Sequence, residues 1–159
     1  MVSRATAYRY FPGLDALLLE AGIDMATPVP EAALAGAPAR DPAARLTQVD
    51  AALDEMIRAN AQPLRLMLAQ ALEHSAAAGE GDPPARQNRR SALIDAALSP
   101  AAAEFTPAAL DRLKKALAIL IGPEGWLVTE DVLQLGRDEA AQVKTWAIEA
   151  LVAAALAER

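Results

Sequence analysis

The densest group of side chains able to do chemistry lies in "VSRATAYRYFPGLDALLLEAG", which begins at Val2. Arg4, Thr6, Tyr8, Arg9 and Tyr10 crowd into about one and a half helical turns behind Ser3, whose hydroxyl suits an N-cap. Guanidinium groups pair with guanine edges or phosphates, tyrosine hydroxyls donate to phosphate, and a helix N-terminus attracts anions. The chemistry on offer is anion binding, of the kind nucleic acid uses. The same residue types also make an ordinary solvated helix face, and pattern alone leaves both readings open.

Catalytic chemistry finds no comparable cluster. The sequence has no cysteine, one histidine and no Gly-rich phosphate loop. Its acidic pairs, Asp54-Glu55, Glu130-Asp131 and Asp138-Glu139, are sequence neighbours that diverge around a helix instead of converging. They read as solvated faces and helix caps. No enzyme, metal centre or cofactor is expected.

The elements that must position these residues are helices. Hydrophobic residues make up 53% of the chain but aromatics only 4%, and much of the apolar content is alanine, the strongest helix former. Strand-favouring runs are limited to "LAILI" and "GWLVT". The fold class is all-α. A net charge of −6 opposes general affinity for nucleic acid, so any such binding must be local.

Punctuation and periodicity predict the helices. A short one spans about Arg4 to Phe11 and is broken by Pro12-Gly13. A second runs from about Leu14 to Ala21, apolar along Leu14, Leu17, Leu18 and Ala21, and ends at Gly22. Residues 24–41 read as a linker with one short turn at "EAALA". Asp41-Pro42 opens a third helix to about Asn60, with Leu46, Val49, Leu53, Met56 and Ile57 inward. Pro63 opens a fourth to about Ala78, with Leu64, Met67, Leu68, Ala71 and Leu72 inward. "GEGDPP" at 79–84 is a loop, and a fifth helix spans about Ala85 to Leu98 with "RQNRR" on its exposed early turns. Thr106-Pro107 starts a helix to 121 carrying Leu110, Leu113, Leu117 and Leu120, broken at Gly122-Pro123. "EGWLVTEDVLQL" resumes briefly, and Asp138 caps a last helix from about Glu139 to Ala157.

That last helix is apolar nearly all round, on Val143-Ala147-Ala150-Leu151-Ala154 and on Ile148-Val152-Ala155-Leu156. Such a helix needs cover on nearly every side, and a second copy of the chain supplies it. A homodimer is expected, through the last helix and the 107–121 helix. A central helix in a monomeric bundle is the other reading. Its charge-free stretch, 150–157, is shorter than the ~20 residues of a membrane span. A soluble, cytoplasmic protein without membrane association is expected.

The opening stretch resembles the recognition helix and following helix of the TetR/AcrR family of bacterial transcriptional regulators, whose usual run is close to G-V-S-x-x-T-x-Y-x-[HY]-F-x-[SN]-K-x-x-L. Ser3, Thr6, Tyr8, Tyr10, Phe11 and Leu17 fall at matching places. "LKKALAILIGPEGWLVTEDVLQLGRDEAAQVKTWAIEALVAAAL" is similar to the end of many members, so the likeness covers about 65 residues in all. The resemblance implies a helical bundle with a partial N-terminal helix-turn-helix (1–23), a linker (24–41) and a ligand-binding and dimerisation domain (42–159).

In such proteins the positions of Ser3, Arg4, Ala5, Thr6, Tyr8, Arg9 and Tyr10 form the DNA contact. Arg4, Ala5, Thr6 and Tyr8 would face bases, and Arg9 and Tyr10 would lie near phosphates. Leu14 stands where the family's phosphate-gripping lysine is common, which removes one backbone contact. The two helices that normally precede this point and brace the recognition helix are not in the sequence. The chain as given is therefore expected to be defective in reading an operator, and the native form to include upstream residues.

The resemblance further implies a small-molecule effector site among the helices at 42–104. Asn60, Gln70 and His74 are its polar candidates, with Gln87 beside them and Met67 and Trp126 as apolar wall. Each also has a plain reading: His74 as a helix-end residue near solvent, Met67 and Trp126 as core. The dimer face implied is Leu113, Leu117 and Leu120 with Val143, Ala147, Ala150, Leu151 and Ala154. Two functions follow. One is a ligand-responsive repressor; the other is a dimeric helical ligand-binding or protein-interaction module that does not bind DNA.

Overall fold

Proline and its preceding cap set the helix starts. Asp41 accepts a hydrogen bond from the Ala44 amide at 2.9 Å and Thr106 one from the Ala109 amide at 3.2 Å, each ahead of a proline at the first helical turn. The computed structural model describes residues 14–77 and 87–158. Its helices are α1 (Leu14–Ala26), α2 (Pro30–Ala33), α3 (Pro42–Ala59), α4 (Ala61–Ala77), α5 (Arg90–Leu98), α6 (Pro107–Leu120), α7 (Pro123–Leu127) and α8 (Arg137–Ala157). A 3₁₀ segment, Ser99–Glu104, follows α5, and a π-helical turn, Val128–Val132, follows α7. The described residues contain no strand, and the fold is an all-α bundle.

Helix α3 is the hub. It packs on α5 and α8 most extensively, and also on α2, α4 and α7, while α6 lies between α5 and α8. Leu46, Val49, Leu53 and Ile57 of α3 meet Leu93, Ile94 and Leu98 of α5, Leu113 and Leu117 of α6, and Ile148 and Val152 of α8 in one core. Spacing of three and four residues places each of these sets on one helix face. Helix α1 stands apart from this centre and packs chiefly on α4.

Two close approaches weld α6 to α7. Gly122 has φ +119°, a backbone open to glycine alone at little cost, and Gly125 lies so near the end of α6 that an added Cβ would stand 2.1 Å from the Leu120 carbonyl oxygen. Arg90 locks the same turn. Its Nη1 donates to the carbonyls of Ala118 at 2.6 Å and Ile121 at 3.2 Å, and Nη2 to Glu124 at 2.5 Å. Arg45 does likewise for the end of α5, donating to the carbonyls of Ala97 and Ala96. Cations on the orphan carbonyls of a helix C-terminus satisfy both hydrogen bonding and the dipole.

Several expectations need correction. Helix α1 runs through Gly22 to Ala26, because Ile23 (3% exposed) anchors the extra turn; Leu14 and Leu18, expected inward, are exposed. The 24–41 stretch is not all linker: α1 ends in it, α2 forms near the expected turn, and Ala33 is buried against α5. Leu72 is exposed, since α4 is covered on one side only. Helix α5 starts at Arg90, later than expected, and its arginines are half-buried and engaged. Asp138 sits in the first turn of α8, whose N-cap is Gly136. The expected helix at 4–11 and loop at 79–84 lie outside the described residues.

Candidate ligand cavity and exposed helix face

Helices α1, α3, α4 and the start of α5 enclose a cavity. Leu53 and Ile57 of α3 with Leu64 and Met67 of α4 make its apolar floor, and Ile23 and Thr27 close the α1 side. Gln87, Arg89 and Arg90 supply its polar edge, beside Gly122 and Pro123. The cavity volume is about 40 Å³, room for roughly three waters. An occupant must be small.

Arg89 connects this edge to α1. Its Nη2 donates to Glu20 Oε1 at 2.8 Å and to the Glu20 carbonyl at 3.3 Å, and its Nε to Asp24 at 3.0 Å. The side chains of Arg89 and Glu20 are only 14% and 12% exposed, so water screens this pair little. Further along α1 lies an open groove of about 570 Å³ lined by Leu18, Leu19, Gly22, Asn60, Pro63 and Leu66. Ile23 borders both spaces.

Of the residues expected at a ligand site, the structure places Met67 and Gln87 on the cavity. Asn60 borders the outer groove, and its Nδ2 donates to the Met56 carbonyl at the end of α3, a capping role. Trp126 is buried in the core away from the cavity, with Arg65 stacked 4.7 Å from its ring centroid. Gln70 and His74 are half-buried on α4 and do not line the cavity. Arg89 and Arg90 were not singled out from the sequence, where "RQNRR" reads as a solvated run.

A charge ladder flanks the cavity on the other side of α3. Asp54 pairs with Arg58 at 2.8 Å, Arg58 with Glu130 at 2.9 Å, and Lys144 with Asp50 deep in the bundle. Burial pushes the Asp50 carboxyl above its usual range, against the pull of the Lys144 ammonium. Arg65 grips Asp131 through both oxygens, and its hydrogen bonds hold that carboxyl below the usual range. No group of three or more histidine, cysteine or acidic side chains among the described residues is placed to hold a metal ion.

Helix α8 divides into two faces. Ala140, Lys144, Ile148, Val152 and Ala155 are buried within the protomer. Val143, Trp146, Ala150 and Ala154 are exposed, Trp146 by 70%, while Ala147 and Leu151 are half-buried. On α6, Leu113 and Leu117 are buried inside the protomer at 3% and 0% exposure, and Leu120 is half-buried against the core. These leucines, expected at a dimer face, are spent on α5 and α8, because their spacing follows the stripe that faces the core. Ile119, 78% exposed, is the apolar residue that α6 presents outward. By length and hydropathy alone the 21-residue α8 could cross a membrane, contrary to the reading of its short charge-free stretch, yet its inner face carries a buried lysine paired to α3.

No protein-family model, curated protein or solved structure matches this chain. The residues expected to touch DNA, 3–10, lie outside the described residues.

Proposed function

We propose that this chain is the ligand-responsive, dimerising part of a cytoplasmic TetR-like transcriptional repressor. The observation that carries the reading is the place of α1. It continues directly from the stretch resembling a recognition helix, and it also forms one wall of the cavity. A molecule entering the cavity therefore presses on the element that leads to the DNA-reading residues. The exposed apolar face of α8 supports the second half of the reading, since two copies packed there would hold two recognition helices at a fixed spacing.

The test is selection from random duplex DNA by the native protein purified from its source cells. Enrichment of a two-fold symmetric site, with affinity falling steeply as salt rises, is the expected result. Failure to enrich any sequence would reject it. The acidic balance of the chain favours a second reading in that event: a dimeric helical module that captures a small ligand or a protein and does not bind DNA.

A further inference from the structure

We propose that Arg89 is a latch on α1 and that a short-chain monocarboxylate opens it, an inference that rests on the reading of the cavity as a ligand site. The cavity floor is aliphatic, so it takes an alkyl chain, and a chain of about four to six carbons fits only by pushing the walls apart. At its edge stand two guanidinium groups. Arg89 spends Nε and Nη2 on α1, and Arg90 spends Nη1 and Nη2 on the turn that joins α6 to α7. Guanidinium groups match carboxylates in two-pronged geometry, which a hydroxyl or amide cannot copy.

The Arg89 fork is already held by carboxylates, Glu20 and Asp24, so a ligand carboxylate binds there by exchange. The guanidinium stays paired throughout. Glu20 does not: it is 9% exposed as a residue, and a buried carboxylate without its partner is costly to keep. It must turn to water, and α1 must shift to let it. Because Ile23 of the same helix borders the cavity, the alkyl chain pushes where the carboxylate releases.

The experiment titrates the full chain with hexanoate and, separately, with 1-hexanol by calorimetry, and follows amide hydrogen exchange in residues 20–26. Hexanoate is expected to bind, hexanol to bind at least tenfold more weakly, and α1 exchange to quicken at least about fivefold with hexanoate bound. Glu20→Gln should tighten hexanoate about fivefold or more, because it removes the competitor, and Arg89→Gln should abolish the preference for the acid. Equal binding of acid and alcohol, weaker hexanoate binding by Glu20→Gln, or no binding of either would overturn the latch. Hexanoate binding with quickened α1 exchange but no release of selected DNA would leave the latch standing and reject the repressor.

Discussion

Lys144 of α8 and Asp50 of α3 form an ion pair in the middle of the bundle, with side chains 5% and 9% exposed. Apart from that ammonium, Asp50 Oδ1 has no partner. A pair so buried is costly to break from one side. Asp50→Ala leaves the Lys144 ammonium with neither charge nor acceptor beside it and is expected to cost about 3–5 kcal/mol in urea unfolding, whereas replacing both residues with apolar ones of similar size should cost far less.

The same pair sets a pH dependence of unusual sign. Burial raises the Asp50 carboxyl, so the folded state holds this proton more tightly than the unfolded chain. The associated stabilisation is full below the ordinary aspartate value of about 3.9 and is lost as pH rises through the raised one. Unfolding of the wild type and Asp50→Asn from pH 4 to 7 should show the wild type's advantage shrinking as pH rises. An advantage that grows with pH would contradict it. Asp131, held low by Arg65, works in the opposite sense and loses its contribution as pH falls.

Trp126 separates shape from polarity. Its indole Nε1 is buried without a hydrogen-bond partner, so the N–H contributes nothing that phenylalanine would forfeit. Trp126→Phe is expected to change stability by less than about 1 kcal/mol, and Trp126→Ala to cost about 3–5 kcal/mol through the void it leaves. Thermal unfolding of the two variants checks the contrast.

Gly125→Ala should be far worse than its single methyl suggests. The new Cβ meets the Leu120 carbonyl, which ends α6 and cannot retreat as a flexible side chain would. A loss of about 2–3 kcal/mol, read as a fall in Tm of about 5–10 °C, is expected.

The outer face of α8 predicts an assembly. The chain should sediment at twice its 16.7 kDa mass at micromolar concentration, and Ala150→Glu should halve that mass. Ala150 is exposed in the protomer, and glutamate is a good helix former, so the circular dichroism should not change. Wild-type sedimentation at one chain's mass would remove the dimer.

How much of this was legible in the sequence depended on the range of the forces involved. Asp41-Pro42, Thr106-Pro107 and Gly122-Pro123 announce helix ends because capping and proline geometry are local. The stripe of α3 was readable for the same reason. Gly22 misled, because a glycine late in a helix stops it only when nothing beyond it is buried, and Ile23 is. Leu113 and Leu117 could be read as apolar, but whether they face this chain or another depends on where α5 and α8 lie. Arg89 and Arg90 were least legible. Their acceptors are between 28 and 69 residues away, and nothing in "RQNRR" distinguishes a solvated arginine from one that holds two helices.

The packing of α1 has a mechanical consequence. Helices α3, α5, α6 and α8 brace one another on several sides, while α1 leans chiefly on α4, with a cavity and a groove beside it and a polar strut at Arg89. Stiffness is thus unevenly distributed. A load on the braced block is shared among four helices, whereas one on α1 falls on α4 and the Arg89 strut. Compliance is therefore expected at α1, the helix with the fewest neighbours to share a load.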